Sequence, residues 1–475
     1  MSSYTVPFVI NGEERHVAET FEVTSPDTGK VLHRCGIATE ADVIAAVDAA
    51  AAAGQQWRYS TTAQRRDIFL KAADVIKARW DELAQYMVDE VAAPRGWADF
   101  NLTLVTDMLK DVAGRVGGLA GSVPLCDDPN LGAMVVKEPY GVVLAIAPWN
   151  AAYILGTRSV LFPIAAGCTA VFKGSETAPR THSAIVSVLT EAGLPKGVLN
   201  YIVTNPANAP AVTEALVANP EVKKINFTGS TSVGRIITKL AGQHIKPVVM
   251  ELGGKAPVIV WEDADLDLAA QQCAAGAFFF SGQICMSTEK IIVHKKVSEV
   301  FQKKLLDAVE RIHPSKNDAL VVINAQSVEK NKRFLRDAVS KGALLLNGDI
   351  DVEESSKTRM RPIVVSKVTP EMDIYKQESF GPTVSLIETD AEEEALRIAN
   401  DTEYGLTSAV FTEDLRRGLR FARGIETGAV HINNMTIHDE MPLPHGGAKA
   451  SGFGRFNTLS GVEEYVRIKT ITWRN

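Results

Sequence analysis

The sequence predicts an α/β protein with two domains, each built on a mainly parallel sheet wrapped by helices. Two observations predict this fold class. Short apolar runs bounded by turn residues alternate with helical patterns through residues 141–252, and the same alternation begins again after Gly254. Strands and helices in turn are typical of a parallel sheet covered by helices. With 475 residues and 46% hydrophobic residues, the chain is also long enough for two or three cores.

The first part of the chain is predicted to be helical, because its apolar residues recur with helical spacing over 39–53, 62–90 and 99–117. Strands and helices then alternate. The predicted strands are 141–147, 169–173, 198–203, 224–227 and 247–250, and the helices between them include 181–192 and 207–219. A second unit, from about residue 253 to residue 455, begins with a strand at 256–261 and helices at 266–280 and 297–312.

Composition excludes several classes of protein. The formal net charge is −7 and no basic run is present, which argues against nucleic-acid binding. Five scattered cysteines form neither a disulfide pattern nor zinc-ligand spacing, so we expect a reduced, cytoplasmic protein with no metal site. The start of the chain has no signal-peptide pattern. The apolar stretch 141–172 contains Pro148, Asn150, Arg158 and Pro163, which predicts a buried core and not a membrane span.

Cys285 is the candidate nucleophile. Gly282 and Gln283 keep the approach to its thiol narrow and polar, and the phenylalanines of 278–280 supply an apolar wall. A thiolate in this setting can attack a carbonyl carbon. Glu251, in a glycine-rich segment upstream, could activate the water that releases the acyl group. Taken singly, these residues are better explained as a buried structural cysteine and a surface glutamate.

Seven short blocks, in order, resemble the aldehyde dehydrogenase superfamily, and the resemblance extends from about residue 6 to residue 473. The blocks are Pro148-Trp149-Asn150, Phe172-Lys173-Gly174-Ser175-Glu176, Phe227-Thr228-Gly229-Ser230-Thr231, Glu251-Leu252-Gly253-Gly254-Lys255, Gly282-Gln283-Ile284-Cys285, Glu378-Ser379-Phe380-Gly381-Pro382 and Gly446-Gly447-Ala448-Lys449-Ala450-Ser451-Gly452. The resemblance implies the aldehyde dehydrogenase fold, with a Rossmann-like NAD-binding domain, an α/β catalytic domain and a small β extension.

The resemblance also implies domain boundaries. Residues 1–118 and 141–252 would form the NAD-binding domain, 253–455 the catalytic domain, and 119–140 with 456–475 an oligomerisation segment. The tail 465–473 is rich in β-forming residues, and an open strand edge invites pairing with another protomer. We therefore expect a homodimer or a homotetramer.

A cofactor site is expected around Gly229, Ser230 and Gly234, which lie between a predicted strand and a helix. A glycine turn and helix N-terminal amides can hold a pyrophosphate, although a simple strand-to-helix cap is an equally good reading of these residues alone. The resemblance makes this segment the pyrophosphate site and assigns Lys173 and Glu176 to the adenosine ribose. The resemblance further assigns Trp149, Leu252, Glu378 and Phe380 to the cofactor. Because Glu176 would repel a 2′-phosphate, NAD is expected in preference to NADP.

The resemblance gives each catalytic residue a role. Cys285 attacks the aldehyde, Asn150 donates to the oxyanion, and Glu251 activates the water that hydrolyses the thioester. Members that transfer the acyl group to coenzyme A generally lack a base glutamate at this place. The presence of Glu251 therefore favours release of a free carboxylic acid.

The substrate tunnel is predicted from residues around Asn150. If helical, Ala151, Leu155 and Arg158 share one face, beside Phe279 and Phe280, with room for a flat ring that Arg158 could meet. Trp97 is a further candidate wall, and His445 stands where most relatives have phenylalanine. A salt bridge for Arg158, helix packing for Trp97 and space filling for His445 remain alternatives.

These residues, together with two longer stretches, resemble the branch that oxidises salicylaldehyde, vanillin and benzaldehyde. The stretches are Gln283-Ile284-Cys285-Met286-Ser287-Thr288 and Thr436-Ile437-His438-Asp439-Glu440. Aromatic aldehydes are therefore the expected substrates. Aliphatic aldehydes or semialdehydes are the alternative, and a catalytically silent member of the fold is the alternative of another class.

Overall fold

The computed structural model describes residues 4–315 and 317–474. Its helices are α1 (Glu40–Trp57), α2 (Thr62–Ala78), α3 (Trp80–Val91), α4 (Arg95–Arg115), α5 (Ala152–Ala166), α6 (Pro179–Glu191), α7 (Ala209–Ala218), α8 (Thr231–Gln243), α9 (Leu266–Phe278), α10 (Ser298–Ile312), α11 (Ala325–Ser340), α12 (Asp373–Lys376), α13 (Glu392–Asn400), α14 (Leu415–Gly424) and α15 (Thr458–Glu463).

The strands form two large sheets, a two-stranded ribbon and smaller pairings. They are β1 (Thr5–Val6), β2 (Phe8–Ile10), β3 (Glu13–Arg15), β4 (Thr20–Thr24), β5 (Val31–Gly36), β6 (Leu131–Pro139), β7 (Val142–Ile146), β8 (Thr169–Lys173), β9 (Leu199–Ile202), β10 (Val222–Thr228), β11 (Val248–Glu251), β12 (Ala256–Val260), β13 (Thr288–His294), β14 (Leu320–Val321), β15 (Leu344–Leu345), β16 (Arg359–Met360), β17 (Ile363–Ser366), β18 (Thr383–Thr389), β19 (Ser408–Phe411), β20 (Val430–Ile432), β21 (Gly452–Phe453) and β22 (Val466–Arg474).

The first large sheet has eight strands in the order β21-β11-β10-β7-β8-β9-β2-β3. The five central strands, from β11 to β9, are parallel, while β21 and β2 pair antiparallel at its flanks. Every residue of β7, β8 and β9 is buried, because helices cover both faces. The stretch 141–172 is thus strand, helix and strand, as predicted. No helix among the described residues is both long and apolar enough to cross a membrane.

The second large sheet has seven strands in the order β15-β17-β18-β13-β12-β19-β20. Pairing is parallel from β17 to β20 and antiparallel only at the edge strand β15. The buried residues of this sheet belong to two further hydrophobic clusters, separate from the large cluster around the first sheet. The prediction of an α/β protein with two mainly parallel sheets is confirmed.

The ribbon joins two segments that are far apart in sequence. β6 and β22 pair antiparallel over nine residues, from Leu131 opposite Arg474 to Pro139 opposite Val466. Almost all of β22 is exposed in the protomer. The predicted β extension is therefore present as a projecting two-stranded ribbon.

Three helix boundaries differ from the sequence expectation. The predicted helix 62–90 is broken at Arg79, which caps α2 and starts α3 with φ −111° and ψ 19°. Arg79 there binds Glu82 and Glu191. α4 begins at Arg95, directly after Pro94, and not at residue 99. The predicted helix 266–280 ends at Phe278, because Phe279 has an extended ψ of 137° and Phe280 then has a positive φ of 42°.

Candidate active site

A cavity of about 260 Å³ lies at the carboxyl ends of strands from the first sheet, where parallel α/β sheets commonly bind ligands. It also receives residues from the start of α11 and from the loop before β18. The cavity brings together ten of the predicted site residues: Trp149, Asn150, Leu155, Gly229, Ser230, Glu251, Leu252, Cys285, Glu378 and Phe380. In the paired strands β10 and β11, Thr228 lies opposite Glu251, so the register fixes their common position.

Cys285 is held by a strained loop. Phe280 and Ser281 have φ values of 42° and 59°, which non-glycine residues seldom adopt. Gln283 stabilises this loop, since its side-chain amide donates to the carbonyl of Phe280 at 3.2 Å and accepts from the backbone N–H of Ile323 at 2.8 Å. The thiol is thereby fixed at the floor of the cavity.

Burial raises the pKa of Cys285 well above its usual range, and the neighbouring Glu251 carboxylate raises it further. Glu378 acts in the same direction, whereas the Arg158 guanidinium lowers the pKa. Cys285 is therefore a protonated thiol at neutral pH in this arrangement. Attack on a carbonyl requires a base that removes the thiol proton.

Glu251 is the base within reach. Its side chain ends β11 and is almost fully buried. Apart from the Cys285 thiol, no described residue donates a hydrogen bond to either carboxylate oxygen. A buried carboxylate without a partner is costly, so both oxygens are available to a thiol or to a water molecule.

Asn150 is oriented by two hydrogen bonds. Its side-chain amide donates to the backbone carbonyl of Gln283 at 3.0 Å, and its backbone carbonyl accepts from the Trp97 indole N–H at 2.9 Å. An amide nitrogen carries two hydrogens, so one remains for an oxyanion beside Cys285.

The helix N-terminus predicted to bind pyrophosphate is present in the cavity wall. Ser230 is the N-cap of α8, and its hydroxyl accepts from the backbone N–H of Val233 at 3.4 Å. A Cβ on Gly234 would lie 2.5 Å from a methyl group of Leu252, so glycine permits this close packing of helix and strand. The backbone N–H groups at this helix N-terminus suit a phosphate group.

Lys173 and Glu176 lie at the end of β8 and outside the residues that line the cavity. Lys173 is nearly buried, which lowers its pKa, and the negative charge of Glu176 partly offsets this effect. Glu176 itself is half-buried. The two charges therefore interact.

Glu378 is held over the cavity by its neighbours. Its carboxylate accepts from the backbone N–H of Gly254 at 2.8 Å, and burial raises its pKa to about 7. The following backbone is fixed by Glu289, which accepts from the N–H groups of Ser379 at 2.9 Å and Phe380 at 3.1 Å. Phe380 has a positive φ of 47°, so the loop needs this support.

Sequence reasoning missed the ion pair that anchors this loop. Lys255 binds Glu289 at 2.6 Å, and both side chains are buried. Glu289 lies in the apolar strand β13, and a buried charge requires a partner. This position could have indicated an ion pair from the sequence. Four residues around the start of α11 also line the cavity and were not foreseen: Ile323, Asn324, Ser327 and Lys330.

Phe280 forms an aromatic cluster with two tryptophans. Phe280 is buried and packs against Trp97 at 5.9 Å and Trp149 at 6.0 Å between ring centroids. Phe279 is 38% exposed. Ala151 is the buried residue immediately before α5, and its carbonyl accepts from the N–H of Leu155.

Arg158 makes the salt bridge that was one of its two predicted roles. Its guanidinium pairs with Asp439, stacks on Phe456 at 5.5 Å and donates to Asn457. His445 is buried beside this pair and exchanges backbone hydrogen bonds with Phe456. Asp439 and His445 line a second, smaller cavity together with Met286, the residue after the nucleophile.

Comparisons with known proteins agree with this geometry. The aldehyde dehydrogenase family matches residues 13–471. The chain is 42% identical to a vanillin dehydrogenase of Pseudomonas sp. strain HR199, over 99% of this chain and 98% of that protein. It is 38% identical to a salicylaldehyde dehydrogenase of Pseudomonas sp. strain C18, over 96% and 94% of the two chains.

A solved structure is similar over the same length. The salicylaldehyde dehydrogenase of Pseudomonas putida G7, solved in complex with salicylaldehyde, is 36% identical with a TM-score of 0.95, covering 99% of this chain and 98% of that one. The blocks around Asn150, Glu251, Cys285 and Glu378 thus lie in one cavity of a shared fold. The chain belongs to the aldehyde dehydrogenase family.

Proposed function

We propose that this enzyme uses NAD to oxidise aromatic aldehydes to carboxylic acids. One observation carries the proposal: a single cavity gathers the Cys285 thiol, the unpartnered Glu251 carboxylate and the Asn150 amide. A nucleophile, a base and an oxyanion donor are the groups that aldehyde oxidation through a thioester requires.

The hydrogen-bond donors and acceptors of the cavity suit the chemical groups of NAD. The α8 N-terminus with Ser230 suits the pyrophosphate, and the Glu378 carboxylate can accept from ribose hydroxyls. NAD, when bound, supplies the hydride acceptor. Phe380 and Trp149, whose rings lie 6.0 Å apart, would flank the nicotinamide.

The chain's own residues carry out the remaining steps. Glu251 removes the thiol proton, and Cys285 attacks the carbonyl carbon to give a thiohemiacetal whose oxyanion is held by the Asn150 amide and the Cys285 backbone N–H. Loss of the hydride leaves a thioester on Cys285. Glu251 releases the thiol proton to solvent and then takes a proton from water, and the resulting hydroxide attacks the thioester carbonyl. The C–S bond breaks, the acid leaves, and the sulfur recovers a proton from Glu251.

Aromatic substrates are favoured by the wall of Trp97, Phe280 and Trp149, which suits a flat ring. The aldehydes named for the vanillin and salicylaldehyde dehydrogenases described above support the same choice. Oxidation of aliphatic aldehydes or semialdehydes by the same steps is the alternative.

The test is NADH formation on a panel of aldehydes: salicylaldehyde, vanillin and benzaldehyde beside hexanal and succinic semialdehyde. We expect higher kcat/KM values for the aromatic compounds. A preference for hexanal or the semialdehyde would retain the mechanism and reject the substrate class. Cys285→Ala is the control: it should keep NAD binding and lose oxidation to below about a thousandth of wild type.

NAD should be preferred over NADP because of Glu176. Its carboxylate, close enough to influence Lys173, would repel a 2′-phosphate. Glu176→Ser should raise kcat/KM for NADP relative to NAD at least about tenfold. An unchanged ratio would place the discrimination at other residues.

We further propose that the enzyme is cytoplasmic and a homodimer or homotetramer, with the β6–β22 ribbon in the contact between protomers. The proposed domains are an NAD-binding domain of residues 1–118 and 141–252, a catalytic domain of 253–455 and an oligomerisation segment of 119–140 and 456–475. The exposed strand β22 supports the last assignment.

A further inference from the structure

We propose that Asp439 makes this active site selective for uncharged aldehydes, because it neutralises Arg158 and so denies the site a free cation for a substrate carboxylate. The inference rests on the proposed aldehyde oxidation. It concerns the choice among aldehydes and adds a specificity-determining residue that does not touch the reacting atoms.

Arg158 lies next to the reacting groups. It follows Leu155, which lines the Cys285 cavity, by almost one turn of α5. Its charge acts on the thiol: burial, Glu251 and Glu378 raise the pKa of Cys285, and the Arg158 guanidinium lowers it. Asp439 lines the smaller cavity together with Met286, the residue that follows Cys285 in the chain. The proposal places the ring of an aldehyde bound at Cys285 beside this pair.

The pair is closed to solvent and well ordered. The side chains of Arg158 and Asp439 are 2% and 6% exposed. Asn457 donates to the second oxygen of Asp439 at 2.7 Å. Burial alone would raise the pKa of Asp439, but Arg158, His445 and the hydrogen bonds outweigh it and lower the pKa to about 2. Asp439 is thus ionised at any working pH.

The pair offers a substrate one neutral contact. The Nε–H of Arg158 is buried and has no hydrogen-bond acceptor among the described residues. This donor can meet an uncharged acceptor on a ring, such as a hydroxyl or methoxy oxygen. A carboxylate at the same place would add a second negative charge to a buried pair whose net charge is zero, which is unfavourable.

Burial lowers the pKa of His445, and the negative charge of Asp439 acts in the opposite direction. Asp439→Asn removes the neutralising charge but keeps an oxygen that can accept from Arg158. The variant therefore has a net positive charge facing the ring, and it should accept aldehydes that carry a carboxylate.

The experiment compares 2-, 3- and 4-formylbenzoate with their methyl esters, which have the same ring and no charge. In the wild-type enzyme, kcat/KM should favour the ester over the acid by at least about tenfold for the isomer that reaches Arg158. In Asp439→Asn, this ester-to-acid ratio should fall by at least about tenfold. Because the ratio is taken within one variant, any change in the reactivity of Cys285 cancels.

Asp263→Asn is the matched control, since it removes a carboxylate from another ion pair, with Arg417, outside both cavities. Its ester-to-acid ratio should equal that of the wild type. If Asp439→Asn does not fold, equal rates for acid and ester in the wild type still overturn the inference. Failure of benzaldehyde itself to be oxidised would reject the proposed function, whereas active enzyme with an unchanged ratio in Asp439→Asn would reject this inference alone.

Discussion

At the scale of single residues, the main feature of the site is the excess of negative charge around the nucleophile. Glu251 and Glu378 both raise the pKa of the buried Cys285 thiol. The resting enzyme therefore holds a protected thiol, and the same carboxylate that disfavours the thiolate can take the proton at the moment of attack. Glu251 thus has two effects: it keeps Cys285 protonated at rest, and it accepts the thiol proton during the attack.

This arrangement predicts the pH dependence of Cys285 alkylation. With a raised pKa, the wild-type thiol should react with iodoacetamide at a rate that still increases above pH 9, because the thiolate fraction has not reached its limit. Glu251→Gln removes the largest neighbouring charge and should shift the profile to lower pH. Mass spectrometry of the Cys285 peptide measures the rate. An identical pH profile in both proteins would show that Glu251 does not influence the pKa of Cys285.

Glu251→Gln should also separate the two halves of turnover. Hydrolysis of the thioester depends on proton removal from water, and a positioned base contributes about 10²–10⁴-fold. Stopped-flow absorbance should show a burst of NADH followed by a steady state slowed by about that factor. Glu251→Asp is the matched control and should recover part of the steady-state rate. A steady state equal to wild type would remove Glu251 from this role.

At the scale of elements, the loop before β18 depends on a long-range ion pair. Lys255 directly precedes β12 and Glu289 belongs to β13, which pairs with β12, so the ion pair links neighbouring strands of the second sheet. Glu289 accepts two backbone N–H groups of the loop, which keeps Phe380 in its strained conformation. The loop is therefore positioned by residues that are remote in sequence.

Glu289→Gln should loosen this loop. Breaking a buried pair while one charge remains costs about 3–5 kcal/mol of unfolding free energy, and the KM for NAD should rise more than kcat falls. Urea unfolding and initial rates with varied NAD measure the two effects. The double variant Lys255→Met with Glu289→Met leaves no unpaired charge and should be less destabilised. Lower stability with an unchanged KM for NAD would show that the pair supports the fold alone.

The same elements show what the sequence could predict. Residues 169–173 were predicted as a strand and form β8 without change, because a short apolar run between turn residues is a local signal. The break at Arg79 and the end of α9 at Phe278 depend on tertiary contacts and backbone strain, which local periodicity does not contain. For the same reason the sequence does not distinguish Phe279 from Phe280, which were predicted together: Phe280 is buried and Phe279 is 38% exposed.

The site residues show the same difference between local motifs, which the sequence indicates, and long-range pairs, which it does not. Cys285, Glu251 and Asn150 lie in compact motifs, so the sequence indicated them and the structure brings them into one cavity. Lys255 with Glu289 and Arg158 with Asp439 are pairs of residues far apart in the chain. Their partners could not be chosen from the sequence, because buried charges pair according to the fold and not to sequence distance.

At the scale of the whole molecule, the β6–β22 ribbon is the feature that a single protomer does not explain. Strand β22 exposes Ile468, Ile471 and Trp473, at 71%, 41% and 39% of their surfaces. Exposed apolar side chains on an open strand edge favour association with another chain. A second protomer that covers the ribbon would bury these side chains and complete the edge.

If the ribbon lies in the proposed contact between protomers, Ile468→Asp should weaken that contact. Ile468 is largely exposed in the protomer, so the substitution should leave the fold intact, while a buried carboxylate in the contact would be unfavourable. Light scattering after size exclusion should show a smaller species than wild type at the same concentration. Val300→Asp on α10, another exposed apolar site, is the control and should keep the wild-type mass. An Ile468→Asp protein of unchanged mass would mean that the protomers associate through another surface.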